Sequence, residues 1–285
     1  MESPLAFVLV LVYVLSSSAY SLIVKMSGNR LVLFGAVNGA TVLLVLPVFL
    51  FLPLPELYVL PYILASSAFY CTYLYFSDKA YKHADLSVVY PLSRTVSFLL
   101  IILASKFVLG EEGRWYEWLA IGVILVAFLM QMNIRQLHKI HHLIPFLLIG
   151  LMGAGVGAMA SVDIMGVRAT ASPMSFIAAL MFTGLPATVW ATIKHKHELQ
   201  TILIRQKKQI IAAALLENFG YVCFLYAVYV ARALYAVPLS SLTVVVVTLL
   251  GLYHLKESMR LRRLLSAAMI TAAIAGVHTM DIFYR

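Results

Sequence analysis

The chain has 285 residues, 62% of them hydrophobic and only 12% charged, with a net charge of +9. Soluble domains run near 45–50% apolar and roughly 25% charged, so this composition excludes an ordinary soluble globular protein. The positive balance is the Lys and Arg excess of cytoplasmic loops in a membrane protein, and no stretch has the pattern of a nucleic-acid module.

A bilayer core about 30 Å thick takes roughly 20 apolar residues per helical span. Apolar runs predict helices over residues 4–24, 31–52, 57–77, 85–108, 116–133, 143–162, 173–193, 209–230, 233–253 and 263–282. Ahead of the first run, Met1-Glu2-Ser3-Pro4 carries no basic segment, and no small-residue cleavage site follows it. That run therefore reads as a retained helix and not as a cleaved signal peptide. Residues 209–253 exceed one span, and Ala231-Arg232 divides them.

Polar residues inside these runs are the candidates for function. In the first span Tyr13, Ser16 and Tyr20 form a stripe, and in the third Tyr62, Ser66, Tyr70, Tyr73 and Ser77 form another. Tyr62 and Ser77 fit the interfacial belt; Tyr20, Tyr70 and Tyr73 fit either that belt or a cavity that stacks planar or cationic cargo. The fourth span places Ser87, Tyr90, Arg94 and Ser97 on one helical face. Arginine at mid-membrane costs about 2.5–3.5 kcal/mol, so Arg94 faces either a cavity or a counter-charge. Its guanidinium fork suits a carboxylate or phosphate. Pro91 in this span, and Pro238 in the ninth, each remove a helical hydrogen bond, giving kinks that act as hinges around a cavity or are absorbed in packing.

The sixth span carries Gly153 and Gly157, a small-residue face for close helix packing. In the eighth, Glu217 sits beside Asn218, with Tyr221 one turn on. Three roles are open to Glu217: a proton-coupling group, a site for a substrate ammonium, or a counter-ion to Arg94. Ser241 follows Pro238 in the ninth span. Ala268, Ala272 and Gly276 in the tenth suit packing or a homodimer contact. Cys71 and Cys223 lie in apolar runs and read as small core residues. The basic stretch 194–209 reads as a loop on the anionic membrane surface.

Connections after odd-numbered spans hold fifteen Lys and Arg residues and the opposite side holds five, which puts the former in the cytoplasm. Residues 80–93 (AYKHADLSVVYPLS) can be laid over 227–240 (AVYVARALYAVPLS), and Glu111 and Glu257 follow at nearly the same offset. Five helices per half gives the halves opposite orientations. The chain is thus read as two inverted repeats, residues 1–137 and 143–285, joined by 138–142, the architecture of alternating-access transporters.

Residues 80–93 with Pro91, then Leu109-Gly110-Glu111, then 118–127 (WLAIGVILVA), and again 227–240 with Leu255-Lys256-Glu257, resemble the drug/metabolite transporter superfamily in its ten-helix EamA-type branch. The resemblance implies a central cavity lined by helices 1–4 and 6–9, with helices 5 and 10 peripheral. It also implies cargo within a range of amino acids, nucleotide sugars, sugar phosphates, quaternary amines and drugs.

The expectation is an all-α integral membrane protein that acts as a secondary transporter in the plasma (inner) membrane. Its cargo would be a small polar metabolite, an amino acid or other small zwitterion or anion, with export a suitable direction. Arg94 would take a carboxylate and Glu217 an ammonium, with Tyr90, Ser97, Tyr20, Tyr70, Tyr73, Asn218, Tyr221 and Ser241 lining the site. A carrier of organic cations or drugs, or a non-transporting scaffold or sensor, are the alternatives. The histidines fall at loops and helix ends and no GxxxxGK[ST] loop is present, so neither a metal, a cofactor nor an enzymatic constellation is expected.

Overall fold

The computed structural model describes residues 4–26, 30–83, 86–131, 143–255 and 261–283. In chain order they form α1 (Pro4–Met26), α2 (Arg30–Phe51), a 3₁₀ turn (Leu57–Val59) leading into α3 (Leu60–His83), α4 (Leu86–Phe107), α5 (Trp115–Met130), α6 (Leu143–Ala169), α7 (Pro173–Leu180), α8 (Leu185–Lys194), α9 (Lys196–Arg205), α10 (Lys207–Val230), α11 (Ala233–Ser240), α12 (Leu242–Leu255) and α13 (Leu261–Phe283). Among these residues nine stretches are long and apolar enough to cross a bilayer, and α5 is a shorter apolar helix of 16 residues. The protein is an all-α, multi-pass integral membrane protein. The connecting segment 138–142, Ala84, Lys256 and Glu257 lie outside the described residues.

Several elements differ from the apolar pattern. The sixth span runs on to Ala169 rather than stopping near 162, because nothing in Asp163 to Ala169 breaks a helix until Pro173. The seventh is two helices joined by a turn at Met181 to Gly184, and the ninth is α11 and α12 interrupted at Ser241. Residues 196–205, read as part of a loop, form α9, a ten-residue helix whose Leu199 is buried. The division at Ala231-Arg232 is a true break, with Ala231 extended at φ −138°, ψ 169°.

Helices of the two halves interlock. The first helix packs on α10, α11 and α12, while α6 packs on α3 and α4; α5 lies against α13, and α2 against α8 and α10. The α6 seam is built from glycines on two faces. A Cβ at Gly153 would stand 2.5 Å from the Ser93 carbonyl, and one at Gly157 would stand 2.9 Å from the Ser97 carbonyl, both on α4. On the other face, Gly155 abuts the α3 backbone at Tyr73. Only hydrogen fits at these positions, so the backbones approach as close as small-residue faces permit. Ala268, Ala272 and Gly276 of α13 face outward.

The apolar core is unequal through the thickness of the bundle. Toward the connections that follow even-numbered spans, one cluster joins Val10, Phe98, Ile124, Ile164, Phe176, Leu225, Leu234 and Ile270. Toward the opposite face the described residues form two smaller clusters. One part gathers Val32, Leu33, Leu199, Ile210 and Ala213, and the other Ala80, Val88, Val89, Ile149 and Met152. Tyr20 packs against the first of these and Tyr73 against the second.

Candidate functional site

The site is assembled from α1, α2, α3, α4, α6 and α10. On one wall Tyr20 of α1 donates a hydrogen bond to Glu217 of α10, and Tyr70 and Tyr73 of α3 lie within electrostatic reach of the same carboxylate. Asn38 Nδ2 of α2 donates to the Tyr70 hydroxyl at 2.8 Å, fixing that ring. On the other wall the Arg94 guanidinium of α4 donates to the Tyr13 hydroxyl and lies beside Tyr90. Tyr221, one turn beyond Glu217, joins the two walls: it donates to Asp163 Oδ2 of α6 and lies within electrostatic reach of both Tyr13 and Glu217.

Each charged group in this cluster therefore meets phenol hydroxyls in place of an opposite charge. Among the described residues the ion pairs are Lys82–Asp78, Arg168–Glu111, His195–Glu198 and Arg232–Glu117, and none involves Arg94, Glu217 or Asp163. A phenol can accept from a guanidinium or donate to a carboxylate, and a ligand group of the same polarity can take its place. Charges left unneutralised inside an apolar bundle are costly unless a ligand or water meets them.

Other expected site residues are placed elsewhere. Ser97 is 5% exposed, donates to the Arg94 carbonyl at 3.0 Å and lies under Gly157, so it belongs to the α4–α6 seam. Asn218 spends its amide on Thr41 Oγ1 (2.8 Å) and the Ala214 carbonyl (2.6 Å), clamping α10 to α2. Ser241 is buried at the α11–α12 break, where its N–H donates to the Pro238 carbonyl at 3.0 Å. Pro238 thus precedes a helix interruption, whereas Pro91 sits inside the continuous α4. Ser77, read as interfacial, is buried.

Two elements of the site were not read from the sequence. One is Asp163, 1% exposed, which the shorter predicted span left at a helix end. The other is a latch at the sealed face. Gly110, at φ +66°, turns the chain after α4, a left-handed conformation that favours glycine. The turn sets Glu111 beneath the N-terminus of α11, where it accepts from the Ala233 and Leu234 N–H groups at 2.8 Å each. Arg168, from the end of α6, pairs with Glu111 at 2.6 Å and donates to the Val228 and Ala231 carbonyls. Beside it, Arg232 pairs with Glu117 at 2.7 Å and donates to the Glu112 carbonyl. Glu56 accepts from Thr170 Oγ1, and Tyr58 donates to the Ala169 carbonyl. All four connections after even-numbered spans are tied together at this face.

Residues 138–279 match the EamA-like transporter family. A solved crystal structure of a protein aligns with this chain at a TM-score of 0.70 and 16% identity, over 96% of both chains, a likeness of fold. None of the curated proteins matches.

Proposed function

Because the chain belongs to the EamA-like transporter family, we propose that it moves a small zwitterion of the amino-acid class across the bilayer by alternating access. Arg94 takes the carboxylate and Glu217 the ammonium, while Tyr13, Tyr20, Tyr70, Tyr73 and Tyr90 wall the cargo. The observation that supports this reading is that Arg94 and Glu217 are linked through Tyr13, Tyr221 and Tyr20 and that neither is in an ion pair among the described residues. Had they been a structural pair, they would meet each other and leave nothing for cargo. The two halves act as inverted five-helix repeats, residues 1–137 and 143–285. The protein sits in the plasma (inner) membrane with the face opposite the Glu111–Arg168 latch toward the cytoplasm, so cargo enters from inside and the latch opens to release it.

A thermal-stability screen of the detergent-purified protein tests this, because ligands that bind the native state raise its apparent stability. Neutral amino acids are expected to raise the midpoint of the wild type and not that of Arg94→Gln. Loss of a charge-assisted hydrogen-bonded contact of about 1.5–3 kcal/mol corresponds to roughly 10–100-fold weaker binding. Equal stabilisation of both proteins would end the assignment. A second reading, transport of organic cations, is favoured by the two carboxylates and the tyrosine walls; it requires that cations alone stabilise, and equally in Arg94→Gln.

A further inference from the structure

Asp163 is not used by this reading, and its surroundings are unusual for a carboxylate. It is 1% exposed, Tyr221 occupies Oδ2, and Oδ1 is buried without a hydrogen-bond partner among the described residues. Ser66 of α3, itself 1% exposed, also donates to this carboxylate. The nearby cations are committed elsewhere. Arg168 is spent on Glu111, Val228 and Ala231, and Arg94 faces Tyr13 and Tyr90. The groups that act on the Asp163 carboxylate are Tyr221 of α10 and Ser66 of α3, neither of which supplies a positive charge; Tyr13 and Glu217 lie around Tyr221.

We propose that Asp163, Ser66 and Tyr221 bind a sodium ion at the bare Oδ1. The donors are all hard oxygens, the class that alkali and alkaline-earth cations select. One carboxylate balances a single positive charge, which disfavours a divalent ion. Asp163 and Ser66 are each 1% exposed, so both donors are withdrawn from the surface. Tyr221 then links the ion to the cargo groups, since it touches Asp163 and lies near Glu217 and Tyr13. Binding of the ion stands by itself; its role as a coupling ion rests on the transport reading above.

The test compares thermal midpoints of the purified, cargo-free protein in sodium chloride and in choline chloride at equal concentration. Sodium is expected to raise the wild-type midpoint by about 2–4 °C, with saturation on titration. The shift should vanish in Asp163→Asn, shrink in Ser66→Ala and persist in Arg94→Gln. Persistence in Arg94→Gln separates this site from the cargo site, so a failed amino-acid screen leaves it standing. A wild-type protein indifferent to sodium over choline overturns the proposal, as does a full sodium shift in Asp163→Asn. Should Asp163→Asn not fold, an undiminished shift in Ser66→Ala, or one that never saturates in the wild type, overturns it equally.

Discussion

At Glu56 hydrogen bonds from Thr170, and from the Ala171 and Ser172 backbone, tie the first half of the chain to the second. Thr170 Oγ1 donates to its Oε2 at 2.6 Å, and that bond holds the carboxyl below the ordinary carboxylate range. A carboxyl lowered in the folded state stabilises it above the ordinary range, and that contribution is lost as pH falls through the lowered value. The wild type should therefore have a higher thermal midpoint than Glu56→Gln near neutral pH, and the gap should close below about pH 4. A gap independent of pH would mean that the ionised carboxylate is not what Thr170 binds. At this scale the sequence spoke clearly where a charge fell well inside an apolar run, as at Arg94 and Glu217. It was silent about Asp163 because hydropathy ended the sixth span at 162, turning a buried carboxylate into an apparent loop residue. Ser97 misled for the opposite reason: helical spacing puts it on the face of Arg94, but the glycines of α6 cover that part of the face.

The helices themselves were legible wherever twenty apolar residues stood between charges. Interruptions inside an apolar run were not, since the breaks at Ser241 and around Met181 to Gly184 change the hydrogen bonding without changing the polarity. The close approach of α6 could be read from Gly153 and Gly157, while the second face at Gly155 needed the position of α3. Gly153→Val should destabilise the protein by about 1–3 kcal/mol through overpacking, because the Ser93 carbonyl and Val96 Cβ stand 2.5 and 2.9 Å from the new Cβ. Gly150→Ala is the matched control, for nothing lies within 4 Å of its added Cβ. Thermal midpoints should separate the two variants; equal losses would show that the seam tolerates bulk.

Across the whole molecule, loop charges and the short match between residues 80–93 and 227–240 suggested two opposed halves. Glu111 was legible only as a mark of that repetition. Its work depends on Arg168 and on the α11 N-terminus, far along the chain, which no local pattern announces. Removing one partner of a buried ion pair typically costs about 3–5 kcal/mol. Glu111→Gln should approach that range, its side chain being 6% exposed beside an Arg168 that is 23% exposed. Glu117→Gln should lose less, because Arg232 is 34% exposed and can turn to water. Unfolding midpoints that fell equally, or more for Glu117→Gln, would contradict the ranking.

The unequal core has a further consequence. The face that carries Glu111, Arg168, Arg232 and Glu117 is held by charges as well as by apolar contact. At the opposite face the described residues meet through two small greasy clusters. The two faces should then answer to different properties of the medium. Ionic strength loosens a partly exposed latch, whereas cooling weakens apolar adhesion. Salt would thus loosen the latched face and cold the opposite one, so the two ends of the bundle would soften under different conditions.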